Sequence, residues 1–231
     1  MIEELRWDTE LFGRKIGTLK RVPSSPRRLV QAIENAKKNG FQYLFCKLKC
    51  EDWKGIGMLE AAGFYLSDIG IIWEIDTHRD SMMSPNIRIA TEKDIIALKK
   101  MTKCLFEYSR FYHDPFFTKV EADRLFAAWV ENSVKGEAAD IVFWIKGVGF
   151  ITCRKITATK GKIPLIGVVD TMRGKGFGKT LVLAAIEWFR RENITKVQTR
   201  SQLTNIQAMD FYSRVGFQVI MADVVMSKIL L

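Results

Sequence analysis

A glycine-rich turn between a β-rich run and a helical run is the part of this sequence best suited to chemistry. The turn comprises Arg173, Gly174, Lys175, Gly176, Phe177, Gly178 and Lys179. Backbone N–H groups at such a turn, together with the N-terminus of the helix that follows, attract phosphate groups. The glycines allow the main chain to approach a ligand closely, and the basic residues add positive charge. The spacing therefore predicts a phosphate-binding loop rather than a plain surface turn.

Two common phosphate loops fit this turn poorly. The loop of P-loop nucleoside triphosphatases needs a glycine five residues before Gly178, but that position is Arg173. The dinucleotide-binding loop needs a third glycine at the position of Lys179. The pattern that remains is Arg-x-x-Gly-x-Gly, which Arg173, Gly176 and Gly178 match.

A second landmark starts at Asn205 and ends with Gly216 and Phe217. Asn205 is typical of a helix N-cap, and Gly216 is typical of a helix C-terminus. Between them, Ala208 and Phe211 recur at helical spacing and form an apolar stripe. Tyr212 lies one position off this stripe, so we predict that its phenol faces a cleft.

The two landmarks together resemble those of the GNAT acetyltransferases, over a stretch from Ile87 to Leu231. The N-terminal segment Leu5 to Gly17, with later blocks at residues 109–117 and 124–136, is similar to bacterial dTDP-fucosamine N-acetyltransferases. Those enzymes act in cell-surface polysaccharide (lipopolysaccharide) synthesis. The resemblance implies an α+β fold with a mixed, mostly antiparallel central sheet flanked by helices. It also implies a smaller, truncated GNAT-like α/β domain at the N-terminus.

The resemblance assigns roles to residues of this chain, with acetyl-CoA as co-substrate and no metal. Tyr212 is expected to be the general acid that protonates the leaving coenzyme thiolate. The expected coenzyme-binding residues are Leu165, Ile166, Gly167, Val168, Arg173, Gly174, Lys175, Gly176, Phe177, Gly178, Lys179 and Asn205. Asn205 can bind the pantetheine arm, cap its helix, or do both. Arg110 and Phe12 are expected to bind the acceptor, an anionic nucleotide sugar.

The general base and the acceptor are less well defined. Candidate bases by residue type are Asp68, Glu74, His113 and Asp170, and a chain of water molecules serves equally well. Cys46 and Cys153 have no histidine near them in the sequence, which predicts direct transfer without a covalent enzyme intermediate. Other functions left open are acetylation of a protein N-terminus, polyamine or small molecule, a basic nucleic-acid-binding module, and an acyl-CoA sensor without turnover.

The composition and charge of the chain bear on which of these functions is possible. The chain has 231 residues with 36 Lys and Arg against 26 Asp and Glu, a formal net charge of +10. Such a surplus suits nucleic acid or any other polyanion, but no helix-turn-helix, zinc-finger or RNA-recognition motif accompanies it. The apolar runs are far shorter than the roughly 18 residues of a membrane helix. The scattered cysteines and two histidines argue against disulfides and metal, and the acidic N-terminus predicts a cytoplasmic protein.

The elements that position these residues fall into two predicted domains. A polar, proline-containing stretch, residues 76–85, predicts a boundary near residue 82. This gives an acceptor-substrate domain over residues 1–82 and an acetyl-CoA-binding catalytic domain over residues 83–231. A weak repeat relates the segments that end their helices at Gly63 and Gly216. Whether the chain forms a homodimer is left open.

Local signals also predict individual elements of the catalytic domain. Thr91 and Asp94 have the spacing of a capping box at a helix start. Apolar residues at spacings of three and four predict a helix over residues 121–134, and another over residues 178–191. Two β-rich runs separated by Lys146 and Gly147 predict a hairpin.

Overall fold

The computed structural model describes residues 2–78, 86–103 and 105–230. The helices are α1 (Arg6–Phe12), α2 (Pro26–Lys38), α3 (Trp53–Ala61), α4 (Ile95–Thr102), α5 (Lys119–Val134), α6 (Phe177–Arg191) and α7 (Ile206–Val215). The strands are β1 (Ile2–Glu4), β2 (Ile16–Leu19), β3 (Tyr43–Lys49), β4 (Tyr65–Asp76), β5 (Arg88–Ile89), β6 (Ile141–Ile145), β7 (Gly149–Lys155), β8 (Lys160–Ile163), β9 (Ile166–Val168), β10 (Lys196–Gln202) and β11 (Gln218–Ile229). The predicted boundary near residue 82 lies outside the described residues.

The described strands form one mixed sheet in the order β1-β2-β3-β11-β4-β10-β8-β7-β6-β5, and β9 pairs with β7. β2 with β3 and β8 with β10 are parallel pairs, whereas the other pairs are antiparallel. This arrangement confirms the mixed, mostly antiparallel sheet flanked by helices. Because β11 lies between β3 and β4, the N-terminal and C-terminal parts share this sheet, and the division into two domains stays a prediction.

The predicted repeat is visible in the centre of the sheet. α3 and α7 end in the same way: Gly63 and Gly216 have φ angles of +80° and +104°. The next residue in each case, Phe64 or Phe217, donates its N–H to a carbonyl five residues back, a bond that closes a helix C-terminus. The strands that follow, β4 and β11, pair with each other in the middle of the sheet. Both units therefore have the same local geometry.

Helix starts agree with the sequence signals. Thr91 and Asp94 form the predicted capping box, and the Asn205 side chain accepts a hydrogen bond of 3.0 Å from the N–H of Ala208. Gly147 has a φ of +73° in the turn between β6 and β7, as the predicted hairpin requires. These local predictions are confirmed because each depends on a few adjacent residues.

The two faces of the central strands differ. One face is apolar: Ile71 and Trp73 of β4 and Val197 of β10 belong to the core cluster that contains α6. The other face carries polar residues, because side chains alternate along a strand. Its members, from β3, β11, β4, β10 and β8, are Lys47, Asp223, Asp68, Gln198, Arg200 and Lys162. We call this set the polar sheet face.

Aromatic residues from distant segments close one end of the polar sheet face. Phe12 of α1, Tyr43 of β3, and Phe116 and Phe117 before α5 are buried in one cluster with residues of α5 and β6. The rings of Tyr43 and Phe116 stack with centroids 4.6 Å apart. This cluster fixes the segment that precedes α5, which includes Arg110, against the N-terminal strands.

Candidate functional site

The site begins where two neighbouring strands separate. β8 and β10 pair in parallel over residues 160–163 and 196–199. After a break at Pro164 and Leu165, β9 pairs with β7, while β10 continues to Gln202. The sheet therefore opens between β9 and the end of β10, and a ligand can enter the gap.

The main chain of β9 presents hydrogen-bond donors to this gap. The Thr152 N–H donates to the carbonyl of Leu165 at 2.9 Å, which fixes the alternation of the antiparallel pair. Since successive residues face the partner strand and then face away from it, the N–H groups of Ile166 and Val168 point away from β7, toward the gap. Donors held on a rigid strand can stabilise a carbonyl oxygen that becomes negative during acyl transfer.

The glycine-rich turn leads into the N-terminus of α6. Gly174 and Gly176 have φ angles of +76° and +84°, and Gly176 is the N-cap of the helix. A side chain at either position would meet no atom within 4 Å, so the left-handed backbone conformation, rather than lack of space, favours glycine. The first N–H groups of α6 have no partner within the helix. The turn thus has the geometry of a phosphate-binding loop.

The remaining residues of the turn have different environments. Arg173 pairs with Asp170 at 2.8 Å and donates from Nε to the Val168 carbonyl at 3.2 Å. A Cβ at Gly178 would lie 3.0 Å from the Phe211 ring, so this glycine allows α6 to pack on α7. Lys175 is exposed, and its Nζ lies 3.7 Å from the sulfur of Met172.

The gap and the turn open into one cleft of about 1070 Å³. The predicted site residues that line it are Leu165, Ile166, Gly167, Val168, Arg173, Gly174, Gly176, Phe177, Gly178, Lys179, Asn205, Arg110 and Tyr212. Lys175 and Phe12 are not among the lining residues. The structure therefore brings together most of the residues that sequence reasoning selected from separate segments.

Phe12 has a supporting position behind the cleft. Its side chain is buried, and its ring packs on Phe111 and Phe117 with centroid distances of 6.2 and 4.8 Å. Phe111 lines the cleft. The expected direct contact of Phe12 with an acceptor does not fit this position, because the apolar ring is buried in the aromatic cluster and does not line the cleft.

Tyr212 lies in the wall of the cleft, with its ring packed between Trp73 and Phe217 at centroid distances of 5.8 and 5.3 Å. The Thr199 hydroxyl lies 3.4 Å from the Tyr212 oxygen. Burial raises the pKa of Tyr212 above the usual 10.0, and the hydrogen bond from Thr199 acts in the opposite direction. The phenol is therefore protonated at neutral pH and can donate a proton.

The polar sheet face forms another wall of the same cleft. Arg200 donates from Nη2 to Asp223 at 2.6 Å and from Nη1 to Asp68 at 2.8 Å. Lys47 also pairs with Asp223, at 2.8 Å. Burial lowers the pKa of Lys162, and the neighbouring cations Arg154 and Lys47 lower it further. The wall contains more cations than anions and suits an anionic ligand.

The profile of the acetyltransferase (GNAT) family matches residues 102–217, which is half of the chain. The chain belongs to the GNAT acetyltransferase family. It is accordingly an acyl-CoA-dependent N-acetyltransferase, and the family uses acetyl-CoA as co-substrate.

Similar proteins extend the likeness beyond that region. The dTDP-fucosamine acetyltransferase of Escherichia coli O6:H1 is 23% identical over 94% of this chain and 93% of its own length. The spore coat polysaccharide biosynthesis protein SpsD of Bacillus subtilis is 18% identical over 94% of this chain and 78% of its own. A GCN5-related N-acetyltransferase of Sphaerobacter thermophilus has 14% identity and a TM-score of 0.67, covering 99% of this chain and 76% of that one. This structural likeness shows the fold.

The candidate bases of this GNAT acetyltransferase lie in different places. Asp68 lines the cleft. Glu74 accepts hydrogen bonds from Lys196 and Gln198, Asp170 pairs with Arg173, and the His113 Nε2 lies 2.7 Å from the carbonyl oxygen of Glu107. Of these four, Asp68 is the one positioned in the cleft wall, and its role as a base stays a prediction.

Sequence reasoning missed several residues of this acetyltransferase's cleft. Lys47, Lys162 and Arg200 line it, and Tyr43 and Asp114 lie directly behind it. The first four are ordinary strand residues with no local motif, and Asp114 lies in the block of residues 109–117 without a role assigned to it. Long polar side chains at every second position of β10, Lys196 to Gln202, were the available signal for a polar sheet face, but they did not indicate a cleft.

Two further findings concern ligands and location. Among the described residues, no cluster of three or more His, Cys, Asp or Glu side chains could hold a metal ion. Within the same residues, the acetyltransferase has no helix long and apolar enough to cross a membrane.

Replacement of Gly176 by valine is expected to raise the KM for acetyl-CoA about tenfold. A β-branched residue in the left-handed region costs about 1–3 kcal/mol, and the turn can relieve that cost by moving away from the phosphate-binding geometry. Steady-state kinetics with varied acetyl-CoA measures the effect. Gly136 has the same φ of +84° and equally open surroundings but does not line the cleft, so Gly136→Val should lower stability without changing this KM. Equal KM values for both variants would contradict a coenzyme role for the turn.

Proposed function

We propose that this acetyltransferase transfers the acetyl group of acetyl-CoA directly to the amine of a nucleotide-linked amino sugar, with a dTDP-linked sugar as the acceptor. The observation that carries the proposal is the distribution of positively charged residues in the cleft. Residues of the glycine-rich turn and the cations Lys47, Lys162 and Arg110 line the same cavity. A coenzyme and an acceptor that both carry a diphosphate would use both regions. The similarity to a dTDP-fucosamine acetyltransferase supports this choice of acceptor.

The coenzyme is proposed to occupy the turn and the gap. The N–H groups of α6 and of Gly174 to Gly178, with Arg173 and Lys179, would hold its phosphates. The pantetheine arm would continue along β9 into the gap, where Ile166 and Val168 provide N–H donors. Asn205 lines the cleft and also caps α7, so its side-chain oxygen is already engaged by the Ala208 N–H. Its further contact with the arm is proposed through the amide nitrogen.

The transfer step is proposed to proceed without a covalent enzyme intermediate. The neutral sugar amine attacks the thioester carbonyl, a C–N bond forms, and the C–S bond breaks. The β9 N–H groups stabilise the negative oxygen of the tetrahedral intermediate. Tyr212 gives its proton to the coenzyme thiolate, and the amine loses a proton to Asp68 or to water in the cleft. The buried thiols of Cys46 and Cys153 have a pKa raised by burial, which disfavours a cysteine nucleophile.

The N-terminal part is proposed to select the acceptor. Phe45 and Lys47 of β3 and Asp68 of β4 come from residues 1–82 and line the cleft. This location supports the expected division of labour between an acceptor-substrate domain and a coenzyme-binding domain.

Purified protein incubated with acetyl-CoA and a panel of acceptors tests this function. The panel contains a dTDP-linked amino sugar, a polyamine and peptides with free N-termini, and mass spectrometry identifies the acetylated product. We expect the nucleotide sugar to gain one acetyl group. Acetylation of the peptides or the polyamine alone would overturn the proposal, and coenzyme binding without acetylation of any member would indicate a sensor.

Replacement of Arg110 by glutamine is expected to raise the KM for the nucleotide amino sugar on the order of 10- to 100-fold. A hydrogen bond to a charged group contributes about 1.5–3 kcal/mol. Arg110 lines the cleft beside Phe45 of β3, a strand that β11 and β4 separate from β10. The KM for acetyl-CoA should stay the same. Arg124→Gln removes an equal charge from the exposed surface of α5 and is the control. Equal KM values for the nucleotide sugar in both variants would exclude Arg110 as an acceptor ligand.

A further inference from the structure

Arg110 has unusual surroundings for a cation in a binding cleft. Its guanidinium carbon lies 4.5 Å from the centre of the Phe45 ring and 4.4 Å from that of Phe111. Both rings line the cleft beside it. Contact with two aromatic faces restrains the guanidinium plane and leaves its edges for hydrogen bonding. The edge that faces the protein donates from Nη1 to the Tyr43 hydroxyl at 2.8 Å.

The Tyr43 hydroxyl is the centre of a buried polar network. It donates to the Asp114 carboxylate, and the Ser227 oxygen lies 2.7 Å from it. A phenol has one donor and two acceptor sites, so Arg110, Asp114 and Ser227 together use its full capacity. Burial raises the pKa of Tyr43, and the group therefore stays a neutral phenol.

Asp114 is itself held in place. Its side chain is 4% exposed, and it accepts hydrogen bonds from the Tyr65 hydroxyl at 2.8 Å and from the Phe116 N–H at 3.0 Å. The Tyr43 hydroxyl thus bridges the Asp114 carboxylate and the Arg110 guanidinium. In a chain of hydrogen bonds in a low-dielectric interior, each bond polarises the next. Asp114 therefore makes the Tyr43 oxygen a better acceptor for Arg110 without occupying the guanidinium directly.

A comparison with Arg200 shows what this arrangement achieves. Arg200 uses Nε, Nη1 and Nη2 for bonds to Asp223 and Asp68, so its donors are committed to the protein. Among the described residues, Arg110 is hydrogen-bonded through one nitrogen. Asp8 of α1 is a further electrostatic neighbour, and burial raises the pKa of Asp8. A direct carboxylate partner would take a whole edge of the guanidinium, whereas a tyrosine hydroxyl takes one N–H.

We propose that Tyr43, anchored by Asp114, is the positioning residue that orients Arg110 toward the diphosphate of the acceptor. The inference rests on the proposed function, because it assumes an acceptor with a diphosphate. It adds residues of β3 and of the segment before α5 to the acceptor site. None of them touches the reacting atoms, and they act on acceptor binding through Arg110.

Tyr43→Phe and Tyr65→Phe form a matched pair that tests this inference. Each variant removes one phenol hydroxyl from Asp114, but Tyr43 alone also binds Arg110. The readouts are the Kd for dTDP by calorimetry, the KM for the dTDP-linked amino sugar, kcat, and the melting temperature. We expect Tyr43→Phe to raise Kd and KM about fivefold to tenfold, with kcat unchanged. Tyr65→Phe should lower the melting temperature to a similar extent and leave Kd and KM unchanged.

The results separate three cases. Equal Kd values in the two variants, whether raised or unchanged, would overturn the positioning role, because a merely structural network would respond alike to both losses. The double variant Tyr43→Phe/Arg110→Gln is compared with Arg110→Gln. If these two have the same Kd, the rise in Kd caused by Tyr43→Phe acts through Arg110. Failure of the wild-type protein to bind dTDP or to acetylate any nucleotide sugar would overturn the proposed function, and the inference with it.

Discussion

Replacement of Tyr212 by phenylalanine is expected to lower kcat at least about 10²-fold, the lower end of the effect of a positioned general acid or base. The variant keeps the ring that packs between Trp73 and Phe217 and loses the hydroxyl alone. The glycine-rich turn and β9 are untouched, so the KM for acetyl-CoA should change little. Steady-state kinetics with thiol detection measures both quantities.

The pH dependence of kcat should also reflect proton donation by Tyr212. Burial raises the pKa of Tyr212 above its ordinary value of 10.0, so the protonated phenol persists to higher pH than a free tyrosine. The contribution of Tyr212 is full at neutral pH and is lost only as the pH rises through this raised pKa. In Tyr212→Phe, the residual kcat should lack that alkaline decline.

Tyr108→Phe is the matched control for this experiment. Tyr108 also lines the cleft, but its side chain is exposed and lies on the loop before Arg110. Its loss should leave kcat near the wild-type value. Full activity in Tyr212→Phe, or an equal loss in both variants, would show that the leaving thiolate takes its proton from another group.

Replacement of Asp223 by alanine is expected to destabilise the fold by about 3 kcal/mol, the lower end of the cost of breaking a buried ion pair. Asp223 is 2% exposed and accepts bonds from both Arg200 and Lys47. Its loss leaves the half-buried Arg200 with Asp68 alone, while the more exposed Lys47 can turn to water. Denaturant unfolding of the variant and the wild type measures the difference in unfolding free energy.

Asp210→Ala provides the comparison. Asp210 pairs with Arg214 at 2.8 Å, but both side chains are largely exposed, and surface pairs of this kind contribute about 0–1 kcal/mol. The burial of Asp223 therefore predicts a clear difference in unfolding free energy between Asp223→Ala and Asp210→Ala. A loss of stability in Asp223→Ala as small as that in Asp210→Ala would mean that water reaches the Arg200 network freely.

The predictable part of this molecule is the part encoded in short stretches of chain. The phosphate-binding turn, the Asn205 cap, the capping box at Thr91 and the ends of α3 and α7 each depend on residues within one or two turns of each other. No short stretch of chain indicates the gap between β9 and β10, although the family resemblance implied coenzyme-binding residues along β9. Of these features, the glycine-rich turn and Asn205 line the cleft.

The rest of the cleft wall could not be predicted in the same way. Tyr43 and Asp114 are 71 positions apart in the chain, and Arg200 and Asp68 are 132 apart. Such contacts depend on sheet order, and the insertion of β11 between β3 and β4 has no signal in any one segment. Phe12 illustrates the converse: its motif suggested a ligand contact, and packing against Phe111 placed it behind the cleft.

The acceptor assignment is tested by kcat/KM for a dTDP-linked amino sugar, compared with kcat/KM for the same amino sugar without its nucleotide. Both are measured at saturating acetyl-CoA, with the product identified by mass spectrometry. The basic wall of the cleft predicts a preference for the nucleotide-linked sugar of about 100-fold, equivalent to roughly 3 kcal/mol of charge-assisted contacts. Equal kcat/KM values for the two sugars, or no acetylation of either, would contradict the assignment of the cleft to a nucleotide sugar.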